Sequence, residues 1–370
     1  MALLGGQGTL RVWREIRGIY HKVLSNPLEA VITVVLGGLI LWFLPGVLRW
    51  MVFDATFWGL SRADCVGEGA CWPFVWSRMG QFLYGFYPSA QVWRMGLLVL
   101  LGVLWAWSFR AAASQIRLRW LLLAVGMTYP WLSWSLLRGG FWGLSSVETS
   151  QWGGLLLTLF ISLCGILWSL PLGILLALGR RSRQPLIRRL SLLFIEVWRG
   201  VPLITILFLA SVMFPLFLPR DVSVDKLMRA VVGVTLFASA YMAEVVRAGL
   251  NGVPKGQMEA ALSLGLGWYQ GMAFVVLPQA LKIAIPGIVN TFIGLFKDTS
   301  LVLIIGMFDL LGMVQAALTD SEWLGCSYEG YVFAGMVYWA FCFSMSRYSL
   351  RLETRLNREL SSPASTTKKG

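Results

Sequence analysis

Long stretches without clusters of charge constrain this 370-residue chain more than any other feature of its sequence. A helix needs about 20 mostly apolar residues to cross the hydrocarbon core of a bilayer. The sequence therefore predicts an all-helical polytopic membrane protein with about eight transmembrane helices. The predicted spans are Ala30–Leu48, Met95–Phe109, Trp120–Leu137, Gly153–Gly179, Leu190–Leu218, Ala230–Val246, Ile283–Leu318 and Gly330–Ser346.

The composition agrees with a membrane location and excludes other classes. Hydrophobic residues make up 57% of the chain and charged residues 13%, which is unusual for a soluble domain. The net charge of +13 indicates basic cytoplasmic loops in so apolar a chain, and no nucleic-acid partner is expected. The five Cys and one His are too few for a metal framework, so no metal site is predicted.

The distribution of basic residues predicts the orientation, because cytoplasmic loops retain Lys and Arg. If the N-terminus lies inside and Ile283–Leu318 crosses once, 21 basic residues fall in inside segments and seven in outside segments. Both termini are then cytoplasmic. The predicted divisions are a cytoplasmic segment 1–29, a transmembrane extension 30–150 with a large periplasmic loop 51–94, a membrane core 151–350 and a cytoplasmic tail 351–370.

Two cysteines share the predicted external loop. Cys65 and Cys71 are six residues apart, on a side of the membrane where an oxidising compartment would permit a disulfide. A local bridge and two free thiols remain equal alternatives from the sequence.

The longest predicted cytoplasmic loop, residues 247–282, is not built like a solvated linker. Helix-forming residues occupy Gln257–Leu264, with Glu259 in the first turn, where a carboxylate favours the positive end of a helix. Gly265 ends this helix, and Pro278 breaks the apolar stretch that follows. The pattern fits either a docking element or an interfacial hairpin without a partner.

Here the residues carry a specific resemblance. Glu259-Ala260-Ala261, then Gly265 after three residues, and residues 275–278 after nine more resemble the EAA loop of ABC-importer permeases. Residues 196–203, 240–254 and 295–305 resemble the polar amino-acid subfamily, and the first 150 residues resemble a membrane subunit of general L-amino-acid importers. In that family the loop, residues 251–282 here, couples to the ATPase; the implied coupling residues are Glu259, Ala260, Ala261, Gly265, Leu277 and Pro278.

The resemblance implies an ABC type I permease core of five helices preceded by three N-terminal helices. It implies ATP-driven import of amino acids across a bacterial inner membrane. The implied partners are ABC ATPase subunits, a second homologous permease subunit and a periplasmic amino-acid-binding protein. The sequence contains no G-x-x-x-x-G-K-[ST], so ATP and Mg²⁺ are expected on the ATPase subunit, and this chain is not expected to be an enzyme or to carry a cofactor.

Two other classes compete with this interpretation. An ion-gradient-driven secondary transporter would also have broken helices and buried charges, but the docking loop weighs against it. A polytopic membrane enzyme would need a cluster of His, Cys or paired carboxylates on one side of the bilayer, and the sequence does not suggest one.

Charges inside predicted spans are costly and are functional candidates. Arg199 offers a planar fork for a substrate carboxylate, and Glu244 offers an acceptor for its ammonium group. The same two residues would also serve as a purely structural pair between helices.

The overlong span carries a second group of candidates for the substrate pathway. An adjacent pair of opposite charges there favours a structural clamp at a helix break. The two hydroxyl residues that follow are weaker candidates, because such side chains often bond only the preceding turn. The group consists of Asn290, Lys297, Asp298, Thr299 and Ser300.

Overall fold

The structure is a computed structural model that describes residues 26–112, 115–140, 143–219 and 222–361. Within these ranges the regular elements are helices, and β-pairing is limited to isolated bridges. The predicted all-helical class is therefore confirmed. Most of the predicted N-terminal segment, Arg220 and the last nine residues of the predicted tail lie outside the described residues.

The helices fall on the predicted apolar stretches because the chain must satisfy its backbone hydrogen bonds internally in a bilayer. In chain order they are α1 Pro27–Leu48, α2 Pro73–Ser77, α3 Met79–Tyr84, α4 Trp93–Ala111, α5 Ile116–Arg138, α6 Gly154–Arg180, α7 Pro185–Gly200, α8 Leu203–Phe208, α9 Lys226–Gly252, α10 Gly256–Ser263, α11 Trp268–Gln270, α12 Leu277–Asp298, α13 Leu310–Ala317 and α14 Ser327–Ser361.

Five helical stretches among the described residues are long and apolar enough to cross a membrane, or six if one bent pair forms a single span. The bent pair joins α7 to the helical residues 203–217 at an angle of 101°, with Pro202 in extended conformation between them. The predicted total of eight spans is not confirmed by this count and stays a prediction. The described residues divide into two compact units between Trp76 and Ser77. The predicted division of the chain stays a prediction.

In the first unit, α1 buries none of its side chains, as expected of a helix that is apolar on all sides and faces lipid. A compact loop follows it. Thr56 N–H donates to the carbonyl of Ala70 at 2.9 Å, and a disulfide joins Cys65 to Cys71 with a Cα–Cα distance of 5.6 Å. Backbone N–H groups of neighbouring residues donate to Asp64 and lower the pKa of its carboxyl group.

In the second unit, α6 and α9 form the centre of the bundle, and α12 packs against both. Small residues permit α6 and α9 to approach each other closely. A Cβ atom on Gly173 of α6 would lie 2.7 Å from the Cβ of Met242 on α9. The buried apolar residues on these helices, including Leu157, Ile161, Val234 and Val246, form the interior.

The overlong predicted span 283–318 is divided in the structure. The α-helix ends at Asp298, and residues 299–305 continue as a 3₁₀ helix. The buried carboxylate of Asp309 then caps α13 by accepting from the N–H of Gly312 at 2.9 Å, and it accepts from the hydroxyl of Tyr338 on α14 at 2.7 Å. The backbone groups released by the break are thus satisfied inside the protein.

A buried cation attaches α4 to the end of α5. The Arg94 side chain is almost fully buried, and it donates to the carbonyls of Leu136 at 3.5 Å, Leu137 at 3.4 Å and Ser145 at 2.9 Å. Carbonyls at the end of a helix lack partners within the helix and carry partial negative charge. Arg94 therefore stabilises this helix end without a carboxylate partner.

We expect Arg94→Met to lower the free energy of unfolding by about 2–4 kcal/mol, because several buried carbonyls lose a charged donor. The measurement is chemical denaturation of the purified protein in lipid bicelles. Arg110→Met, an exposed arginine on the same helix, is the matched control and should change stability by less than about 0.5 kcal/mol. Equal stability of the two variants would contradict this role.

Candidate coupling loop and substrate pathway

The loop between α9 and α12 is folded as a compact element. Helix α10 ends at Ser263, and Gly265 adopts a left-handed conformation with φ of +83°, which is strained for residues with a Cβ. The chain then turns through α11 and a π-helical segment, residues 271–276, into α12. The predicted helix and its glycine stop are both present in the structure.

One side of α10 packs against this returning segment, and the other side is open. Ala261 is buried, and a Cβ on Gly271 would lie 3.0 Å from the Sδ of Met258. Glu259, Ala260 and Gly265 are exposed, and the Leu264 side chain is 82% exposed. The loop therefore exposes polar and apolar groups on one side and packs against the protein with the other.

Hydrogen bonds connect this element to the transmembrane helices. The amide of Gln279 in α12 donates to the Gln257 side chain of α10 at 3.0 Å. At the end of α9, Asn251 accepts a hydrogen bond from Arg181, which follows α6. A displacement of α10 would therefore act on several helix ends together.

The expectation that Pro278 breaks the segment was wrong. Pro278 lies in the first turn of α12, where the missing N–H has no helical partner to lose and the fixed φ suits a helix. Leu277, which begins α12, is half-buried, and Pro278 is exposed. Both residues form the junction between the loop and the long helix.

Glu244 occupies the centre of a cluster of charges at the loop end of the bundle, defined here as the end that carries α10. Its side chain, 16% exposed, pairs with Arg180 at the end of α6. Arg199 at the end of α7 lies 3.8 Å away, and Arg247, one turn along α9, lies 2.7 Å away. One carboxylate thus connects three helices, and its oxygens are already engaged by guanidinium groups.

Arg199 also contacts Tyr241, a residue that lines a cavity. Its guanidinium carbon lies 5.4 Å from the centre of the Tyr241 ring, a cation–π distance. Tyr241 lines a cavity of about 290 Å³ between α9 and α12, together with Thr291 and Asp298. The cavity thus has a carboxylate in its wall and a guanidinium beside one of its aromatic walls.

The remaining candidates for the substrate pathway lie on α12 and on the 3₁₀ helix that follows it. Thr299 and Ser300 donate to carbonyls three residues earlier, at 2.8 and 2.9 Å, as such hydroxyls commonly do. Lys297 is exposed and Asp298 half-buried, and within the described residues the two form no ion pair with each other at 4.0 Å or less. Asn290 is exposed on α12.

Sequence reasoning missed Arg180, Arg247, Tyr241 and Thr291. Arg247 is three residues from Glu244 on one helix, so its spacing was a usable signal. Arg180 meets Glu244 across 64 positions of sequence, and no periodicity indicates that contact.

The structure thus combines membrane-length helices, a cluster of charges between them and a folded loop at one end, features that occur in membrane transport proteins. The family model described as "Binding-protein-dependent transport system inner membrane component" matches residues 169–358. The chain belongs to this family of multi-pass inner-membrane proteins.

Two relatives are similar over most of the chain. One is the inner membrane amino-acid ABC transporter permease protein YhdY of Escherichia coli (strain K12), 55% identical over 318 residues, which are 85% of each chain. The other is the glutamate/glutamine/aspartate/asparagine transport system permease protein BztC of Rhodobacter capsulatus, 38% identical over 93% of this chain and 94% of that one. A chain of a solved amino acid ABC transporter with histidines is 29% identical, with a TM-score of 0.49 over 55% of this chain and 92% of that chain.

We expect Glu244→Gln to lower the free energy of unfolding by roughly 1–3 kcal/mol, because three partly buried guanidinium groups lose their counter-charge. The same denaturation measurement in bicelles applies. Glu196→Gln is the matched control, since Glu196 is exposed on α7 and has no ion pair among the described residues. A Glu244 variant as stable as the Glu196 variant would show that the cluster does not hold the helices together.

Proposed function

We propose that this chain is the permease subunit of an ATP-driven ABC importer for amino acids, and that α10 couples it to an ATPase subunit in the cytoplasm. The observation that carries the proposal is the folded Glu259–Gly265 segment between α9 and α12, with Glu259, Ala260 and Gly265 exposed, in a member of this transporter family. A periplasmic binding protein and a second permease subunit complete the proposed complex. ATP and Mg²⁺ bind to the ATPase subunit.

The orientation in this proposal places the loop end of the bundle in the cytoplasm. Arg180, Arg181, Arg199 and Arg247 lie at this end, which agrees with the tendency of basic residues to stay inside. Both termini are cytoplasmic in this arrangement. The disulfide-linked loop of residues 54–72 then lies in the periplasm, where disulfides persist.

The substrate pathway in this proposal includes the cavity beside Tyr241. An amino acid carries a carboxylate that suits Arg199 and an ammonium group that suits Asp298. Glu244 is a weaker partner for the substrate, because it is already paired with three arginines. Its role in the proposal is to hold Arg199 beside the cavity.

The energy source separates this function from an ion-gradient-driven transporter. The complex reconstituted in proteoliposomes should take up amino acids with ATP on the ATPase side and binding protein on the other, and uptake should persist when ionophores collapse ion gradients. Uptake that requires an ion gradient and does not depend on ATP would overturn the proposal.

We expect Glu259→Lys to abolish at least about 90% of uptake per assembled complex while the subunit remains inserted, because it reverses a charge on the exposed side of α10. Uptake and ATPase activity are measured together in proteoliposomes. Glu353→Lys, a charge reversal on α14 outside the loop, is the control and should transport normally. Normal uptake by Glu259→Lys at wild-type abundance would exclude the coupling role.

We expect a graded loss of uptake in Arg199 variants, with Met worse than Lys, because Lys retains the charge but not the bidentate fork. Asp298→Asn should weaken uptake at unchanged amounts of complex. The measurement is uptake per assembled complex at several substrate concentrations. If Arg199→Met lowers only the amount of complex, Arg199 is structural and does not contact the substrate.

A further inference from the structure

An apolar groove opens between α5, α6 and α9, on residues of α9 other than those at the candidate substrate cavity. Its volume is about 380 Å³, within the range of known ligand sites. Four aromatic rings line it, from Trp131, Trp134, Phe160 and Trp168. This surface is suited to a hydrocarbon chain and offers little to a polar solute.

The length of the groove matches one leaflet of a bilayer. Its lining on α6 extends from Phe160 to Leu172, which is about 18 Å at the rise of an α-helix. Half of the hydrocarbon core is roughly 15 Å. An extended acyl chain that begins at the interface would therefore end near the inner limit of the groove.

The groove is open along its side. Trp131 is 60% exposed, Trp168 43% and Val232 54%. Pro130 on the α5 wall supplies no backbone donor. An occupant can therefore enter laterally from the bilayer, without passing through the protein interior.

A basic side chain lies at the end of the groove nearest the interface between membrane and water. Arg138 is the last residue of α5 and is exposed, and its guanidinium carbon lies 5.7 Å from the centre of the Trp134 ring that lines the groove. Within the described part of the chain no carboxylate lies within 4.0 Å of its side-chain nitrogens. Its donors remain available to an anion.

Two neighbouring charged residues near the start of α9, Asp225 and Arg229, have partners other than Arg138. Asp225 accepts from the backbone N–H of Leu227 at 2.9 Å and from the hydroxyl of Thr149 at 2.6 Å. Arg229 donates to the backbone carbonyl of Ser211. Arg138 thus lies against the groove, and no carboxylate among the described residues competes with a phosphate for its donors.

We propose that this groove binds one glycerophospholipid, with an acyl chain along α6 and α9 and the phosphate against Arg138. The lipid fills the groove between α5, in the N-terminal extension, and the central helices α6 and α9. The proposal rests on the membrane location of the chain and is independent of the transported substrate.

Native mass spectrometry of the purified, delipidated transporter, titrated with phosphatidylglycerol, tests the apolar part of the site. Val232→Trp should fill the groove and weaken the most strongly retained lipid by at least about tenfold, which corresponds to about 1.4 kcal/mol. Leu175→Trp, a lipid-exposed position on α6 outside the groove, should retain it as the wild type does. Equal retention in all three proteins would overturn the proposal.

A second pair of variants tests the headgroup contact. Arg138→Gln should weaken phosphatidylglycerol binding about fivefold, the effect of one basic residue near an anionic surface, and leave the binding of diacylglycerol, which has no phosphate, nearly unchanged. Arg110→Gln is the control. No change in Arg138→Gln would overturn the phosphate contact, and a cross-link from Val232→Cys to another subunit would show that a protein helix occupies the groove.

Discussion

The ion-pair cluster around Glu244 is the interaction on which the functional end of this protein depends. A charge at membrane depth is stable only with a partner, and this carboxylate has three, from α6, α7 and α9. Because Arg199 is one of them, the same cluster holds a guanidinium beside the cavity at Tyr241. Helix packing and the placement of a candidate substrate contact therefore have one physical cause.

The loop that we propose as the coupling element begins just beyond this cluster. Asn251 lies seven residues after Glu244 on α9 and contacts Arg181, and Gln257 of α10 contacts Gln279 of α12. A force on α10 would reach the ends of α6, α9 and α12 through short, direct contacts. Such a short mechanical path suits a loop that transmits movement from a separate ATPase subunit.

A different interaction holds α4 and α5 together. Arg94 stabilises the end of α5 through carbonyl groups and not through a carboxylate, so α4 and α5 stay together without a second buried charge. Between α5 and the central helices the packing is incomplete, and the apolar groove remains. In a membrane such a gap costs little, because lipid hydrocarbon can fill it.

The sequence by itself determined the all-helical class, the positions of the apolar helices and the short helix α10 with its Gly265 stop. These features depend on local composition and on spacing along one helix, which the sequence displays directly. Only the tertiary structure decided that Pro278 begins α12, that Arg180 joins Glu244, and that Asp298 lines a cavity with Tyr241. The physical reason is that each of these depends on the environment created by packing, and contacts between helices leave no periodic signal in the sequence of either one.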